Sequence, residues 1–85
     1  MKKQYYFHAD PGHAWLAVKR KELIRLGIIN QISSCSYQKG ETVYLEEDRD
    51  AGLFMETKQK AREPVVFKET YQDNTPIRNY PNFIA

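Results

Sequence analysis

Apolar and polar positions alternate with period two in two short runs near the start of the chain. In residues 4–9, Tyr5, Phe7 and Ala9 share one side and Tyr6 and His8 the other. In residues 14–18, Ala14, Leu16 and Val18 oppose Trp15 and Ala17. Such short runs, rich in aromatic and apolar side chains, predict strands. Between them stands Asp10-Pro11-Gly12, which suits a type II turn because proline presets φ and glycine tolerates positive φ. Tight hairpins prefer primed turns that proline cannot enter, so a wider loop is expected and the register stays open. The face with Phe7, Leu16 and Val18 should point to the core, leaving Tyr6, His8 and Trp15 on the other.

Residues 19–26 read as a short helix. Gly27 follows as its left-handed C′ residue, and Ile28 can pack back on Leu23, the pattern of a Schellman ending. Isoleucines 28, 29 and 32 make a connector. Residues 33–38 and 41–46 flank Lys39-Gly40 as a hairpin, with Val43 and Leu45 inward and Thr42 and Tyr44 outward or under a helix. A second helix is predicted from Glu47-Asp48 to about Ala61, with Asp48 as N-cap, Pro64 as terminator and a buried stripe of Leu53, Phe54, Thr57 and Ala61. Residues 65–71 form a last strand. Residues 72–85 have no periodicity and read as an extended tail that Ile77, Tyr80 and Phe83 could pin to the body or to a partner.

The pattern predicts an α+β fold: a small, mostly antiparallel sheet of about five strands with two short helices. Residues 1–71 form the domain and 72–85 the tail. The expected core is Phe7, Leu16, Val18, Leu23, Ile28, Val43, Leu45, Leu53 and Phe54. The chain's 85 residues allow one domain with a modest core, too small to enclose a drug-sized ligand. Thirteen basic against eleven acidic residues give +2, so nucleic acid is permitted but not indicated. A single cysteine, Cys35, excludes an internal disulfide and a multi-cysteine zinc site. Met1-Lys2-Lys3 is followed by polar and charged interruptions, and no apolar run approaches the ~20 residues of a membrane span. A cytoplasmic protein with no membrane contact is expected.

Four stretches, "FHADPGHAWLAV", "KELIRLGI", "SYQKGETVYLEEDRDAGLF" and "PIRNY", are together specific. On them the chain resembles a family of small uncharacterised proteins encoded by bacteriophages, prophages and plasmids. Glycine is common in that pattern where Ala14 stands, proline where Lys19 or Arg20 stands, and cysteine where Arg49 stands. The resemblance implies an accessory protein of a mobile element, acting by stoichiometric binding to a host or defence-system protein, as an anti-CRISPR or anti-restriction inhibitor does.

Candidate chemistry is concentrated near the first turn. His8, Asp10 and His13 could supply two imidazoles and a carboxylate to a zinc ion, as in a small metal-binding hydrolase, but the spaced motifs of such sites are missing. Asp10 also reads as a turn residue bonding its own backbone. Cys35 has no histidine beside it in sequence, and the acidic run Glu46–Asp50 fits a helix N-terminus. The expectation is therefore no enzyme, no metal and no cofactor. Tyr6, His8, Asp10, His13 and Trp15 are expected to form a partner-binding surface, with Trp15 an exposed hot spot and Lys19, Arg20, Tyr37 and Lys39 alongside. Lys19-Arg20-Lys21 and Arg25 beside Trp15 or Tyr37 also permit single-stranded nucleic-acid binding as an alternative.

Overall fold

The structure, a computed structural model, describes residues 3–85; Met1 and Lys2, part of the opening read above for a targeting segment, lie outside the described residues. In chain order the elements are β1 (Lys3–Ala9), β2 (Ala14–Lys19), α1 (Arg20–Arg25), β3 (Tyr37–Lys39), β4 (Thr42–Glu46), α2 (Asp50–Lys60) and β5 (Val65–Tyr71), with 3₁₀ turns at Ile29–Gln31 and Pro76–Asn79. The five strands form one sheet in the order β3-β4-β2-β1-β5. Three of its four pairings are antiparallel, and β5 runs parallel to β1. The fold is α+β, with both helices on one face of a mixed sheet.

The helix-side layer follows the alternation. Tyr5, Leu16, Val18, Val43 and Leu45 meet Leu23 of α1 and Ala51 and Phe54 of α2 in one core. Phe7 and Leu53 pack against it while only partly buried. The two-residue loop Gly40-Glu41 closes β3 and β4, with positive φ at Gly40. α1 ends as expected: Gly27 has φ 74°, its N–H donates to Ile24 O, and Ile28 N–H donates to Leu23 O at 3.0 Å.

Three expectations give way. The strand expected over residues 33–38 shortens to Tyr37–Lys39 because Ser33 and Ser36 turn aside to bind Asp50. Asp48 is not the N-cap of α2; Arg49 takes that position without a side-chain bond, and Asp50 accepts Ser33 N–H and the Ser33 and Ser36 hydroxyls instead. The buried face of α2 is Asp50, Ala51, Phe54 and Lys58, not Leu53, Thr57 and Ala61. Both polar members have partners, hydrogen bonds from Ser33 and Ser36 at Asp50 and the carboxylates of Glu22 and Glu63 at Lys58, so the helix buries polar groups that a hydrophobic stripe excludes.

Lys58 is 2 % exposed and reaches Glu22 at 2.7 Å, while the Tyr5 hydroxyl donates to the same carboxylate at 2.8 Å. Lys3 and Arg25 add further bonds to Glu22, and Glu63 joins through Lys58 and Arg25. Burial alone would raise the Glu22 carboxyl, but the bonds from Lys58, Tyr5 and Lys3 outweigh it and bring it down to about 2. This network joins α1, α2 and β1 at one end of the core.

The expected tail is a further layer. Residues 72–82 cross the helix-free face of the sheet from β5 to β3, with Thr75 and Ile77 buried, and Phe83 beyond them joins the helix-side core. Gln38 N–H donates to Pro81 O and Phe83 N–H to Ser36 O, and Asn82 bridges Tyr37. The segment expected as a tail is thus a strap held against residues 3–71, with Ile77 and Phe83 among the residues that pin it.

Candidate functional site

The first turn is tighter than expected. Ala9 pairs with Ala14, and Asp10 N–H donates to His13 O at 2.8 Å, leaving only Pro11-Gly12 outside the ladder. The Asp10 carboxylate accepts His13 N–H and Gly12 N–H, each at 3.0 Å, supplying an acceptor that a primed turn takes from the main chain. Gly12 does not have positive φ, so this is not a type II turn. Its glycine serves a close approach: a Cβ there would lie 3.0 Å from Arg78 Nη2.

Arg78 grips the same carboxylate with Nε and with Nη2, the latter at 2.8 Å. The Arg78 bonds come first, the backbone N–H groups after, and together they hold Asp10 well below the carboxylate range against its burial. The guanidinium carbon sits 5.4 Å from the Trp15 ring centre. Trp15 is only 2 % exposed, which corrects its expected place as a surface hot spot. Alternation turns it away from the helices, but the strap, His13 and Tyr37 cover it there, the two rings centred 5.8 and 6.0 Å away.

A groove of about 420 Å³ opens beside this assembly, lined by His13, Trp15, Ser34, Cys35, Tyr37, Glu46, Arg78 and Asn82. His13 stands at its rim with Nδ1 4.0 Å from Glu46 Oε1. Burial raises the Glu46 carboxyl. Asn82 Nδ2 donates to Ser34 O at 2.8 Å and fixes the opposite wall to the strap. The walls come from the first turn, β2, β3, β4, the 34–35 loop and the strap, so the recess exists only in the folded chain.

Of the expected site residues, His13, Trp15 and Tyr37 meet at this groove, and Asp10 lies beneath it, committed to Arg78. Tyr6 and His8 share the helix-free face nearer β5, where Tyr6 is 43 % exposed and His8 Nδ1 lies 3.1 Å from Thr70 Oγ1. Burial lowers the His8 pKa. His8, Asp10 and His13 do not converge: among the described residues no group of three His, Cys, Asp or Glu side chains is placed to hold a metal ion. The basic patch also disperses. Arg20 bonds Gln38 and the Ile84 carbonyl, Arg25 is taken by Glu22 and Glu63, Lys39 lies 4.9 Å over Tyr80, and Lys19 lines a separate groove with Gln4 and Tyr44. Trp15, being buried, offers no stacking platform.

Sequence reasoning missed Arg78 and Asn82 and set Glu46 and Cys35 aside. The one usable signal was "PIRNY", in which a proline opens a turn that carries an arginine. The fold and groove define a small α+β domain whose strap shapes a recess on the sheet's open face. No family model, curated protein or solved structure matches the chain. No described helix is long and apolar enough to cross a membrane.

Proposed function

We propose that this protein is a stoichiometric binding module, an accessory protein of a phage-type mobile element. It engages a host or defence-system protein in the bacterial cytoplasm, in the manner of an anti-CRISPR or anti-restriction inhibitor. The observation that carries the reading is the preorganised groove. Its floor is aromatic, Arg78 is immobilised by Asp10, and His13 and Cys35 stand exposed at the mouth. A recess with fixed walls takes an anchoring side chain of a partner at little ordering cost. A standard interface needs about 800 Å² per partner, and the molecule's 5476 Å² of surface accommodates that around the groove. The resemblance to phage, prophage and plasmid proteins supports the mobile-element origin.

The test is capture from host cytoplasm with tagged protein, with and without nuclease. A protein retained at 1:1, unaffected by nuclease and lost when Cys35 carries a bulky maleimide or in Cys35→Tyr, supports the reading. Retention that groove filling leaves unchanged refutes the groove as the contact. Material released by nuclease, with retention that falls steeply as salt rises, supports the single-stranded nucleic-acid alternative instead.

A further inference from the structure

Backbone hydrogen bonding divides β5 into committed and open groups. Lys3 N–H donates to Pro64 O, Gln72 N–H donates to Ala9 O, and the parallel register runs from Lys3↔Val65 to Ala9↔Tyr71. Val66, Lys68 and Thr70 therefore turn both backbone groups to β1. Val65, Phe67, Glu69 and Tyr71 turn theirs outward. Among the described residues no strand lies beyond them, since β5 ends the sheet.

The other edge is treated differently. β3 has three residues, and the strap closes it through Gln38, Tyr37 and Asn82. The molecule thus has one short, sealed edge and one open edge of seven residues. Exposure rises along the open edge from partly buried Val65, Val66 and Phe67 to Tyr71 at 59 %. Tyr6, opposite Lys68 in register, extends the exposed surface onto β1.

We propose that the β5 edge receives an extended segment of a protein partner as a sixth strand, antiparallel to β5, with a carboxylate opposite Lys68 and a cation opposite Glu69. Outward N–H and C=O groups supply affinity for any extended backbone, and the alternating side chains supply selectivity. A second copy is the poorer occupant. Two-fold pairing with full overlap sets Lys68 against Lys68, and shifting the axis by one residue sets Glu69 against Glu69 or Phe67 against Phe67. The last arrangement leaves both charges opposite valines. Like charges directly across a strand pair are destabilising and unlike ones favourable, and a central lysine is a common guard against edge self-pairing. This surface lies at the opposite end of the sheet from the His13 groove, and the inference does not rest on what that groove binds.

The probe is the blocked heptapeptide Ac-Tyr-Val-Arg-Glu-Val-Thr-Val-NH₂, whose glutamate meets Lys68 and whose arginine meets Glu69. Its control exchanges those two residues. Amide hydrogen exchange is followed by NMR on the full chain. The matched peptide is expected to slow Phe67, Glu69 and Tyr71 amides about tenfold or more, leaving Val66, Lys68 and Thr70, already bonded to β1, unchanged. The control should bind roughly fivefold more weakly, and the double variant Lys68→Glu/Glu69→Lys should reverse the preference. No slowing at millimolar peptide, equal binding of both peptides, or slowing confined to the His13 groove would overturn the proposal. Outward amides that slow with protein concentration alone would overturn it in favour of a second copy. Because the exchange pattern is read on the unaltered chain, a variant that fails to fold leaves the test intact.

Discussion

Arg78 lies 68 residues along the chain from Asp10 and holds both of its carboxylate oxygens. One ion pair thereby fastens the C-terminal strap to the first turn and sets a guanidinium over Trp15. The turn, the strap and the groove wall between them are a single mechanical unit.

Arg78→Ala should loosen the strap and wet Trp15. The expected readout is a red shift of tryptophan emission with a lower melting temperature. Arg78→Lys should behave similarly, because one ammonium cannot span two carboxylate oxygens as a guanidinium does. An emission maximum unchanged in both variants would show that the strap stays in place without the pair.

Trp15→Ala should destabilise the fold by about 3–5 kcal/mol, the cost of deleting a large buried aromatic. It is therefore the wrong probe of a binding surface. His13→Ala, at the exposed rim, should leave urea unfolding nearly unchanged while altering partner capture. A His13→Ala loss as large as that of Trp15→Ala would place the imidazole in the packing instead.

Lys58→Met should cost about 3 kcal/mol, because it removes the buried cation of Glu22 and leaves that carboxylate only the Tyr5 hydroxyl and the more exposed Lys3 and Arg25. Glu22→Gln/Lys58→Met should recover much of that loss, since no buried charge then lacks its partner. Chemical denaturation of the unaltered chain, the two single variants Lys58→Met and Glu22→Gln, and the double variant forms the cycle. A double variant as unstable as the sum of the singles would show that the two residues act independently.

Stability should fall at both ends of the pH scale. Glu22 is lowered from 4.5 to about 2, so its contribution is complete above pH 4.5 and drains away as pH falls towards 2. Tyr5 is pushed up from 10.0 to about 12, by burial first and Glu22 second. Its phenol ionises more readily in the unfolded chain, so stability declines as pH rises from 10 towards 12. Lys58, raised because bonds to Glu22 and Glu63 outweigh its burial, adds to the alkaline limb. Urea unfolding across this range checks both limbs, and Tyr5→Phe should flatten the alkaline one.

Arg62 occupies the left-handed region at φ 57°, where Glu63 N–H donates to Lys58 O and Arg62 N–H to Gln59 O. This is the ending that Gly27 gives α1, but built on a residue with a Cβ. Arg62→Gly should stabilise by roughly 0.5–1 kcal/mol, and Gly27→Ala should destabilise by a similar amount. Thermal melts of the pair test the sign of each. Destabilisation by Arg62→Gly would mean that the arginine side chain contributes more than its backbone costs.

Local rules reached as far as short-range geometry reaches. Alternation placed Leu16, Val18, Val43 and Leu45 under the helices, Gly27-Ile28 specified a helix end, and Asp10 was legible as a turn residue because its partners lie two and three positions away. Tertiary structure decided the rest. That Trp15 turns from the helices is a matter of period two, but its burial depends on a strap whose contacts are long-range. Glu22 and Lys58 meet only when three elements come together, and the low-dielectric setting then makes their pairing obligatory. The parallel placing of β5 depends on where α2 sets the chain down. The groove of His13, Cys35, Glu46, Arg78 and Asn82 has no sequence signature, because its walls are distant segments joined only by folding.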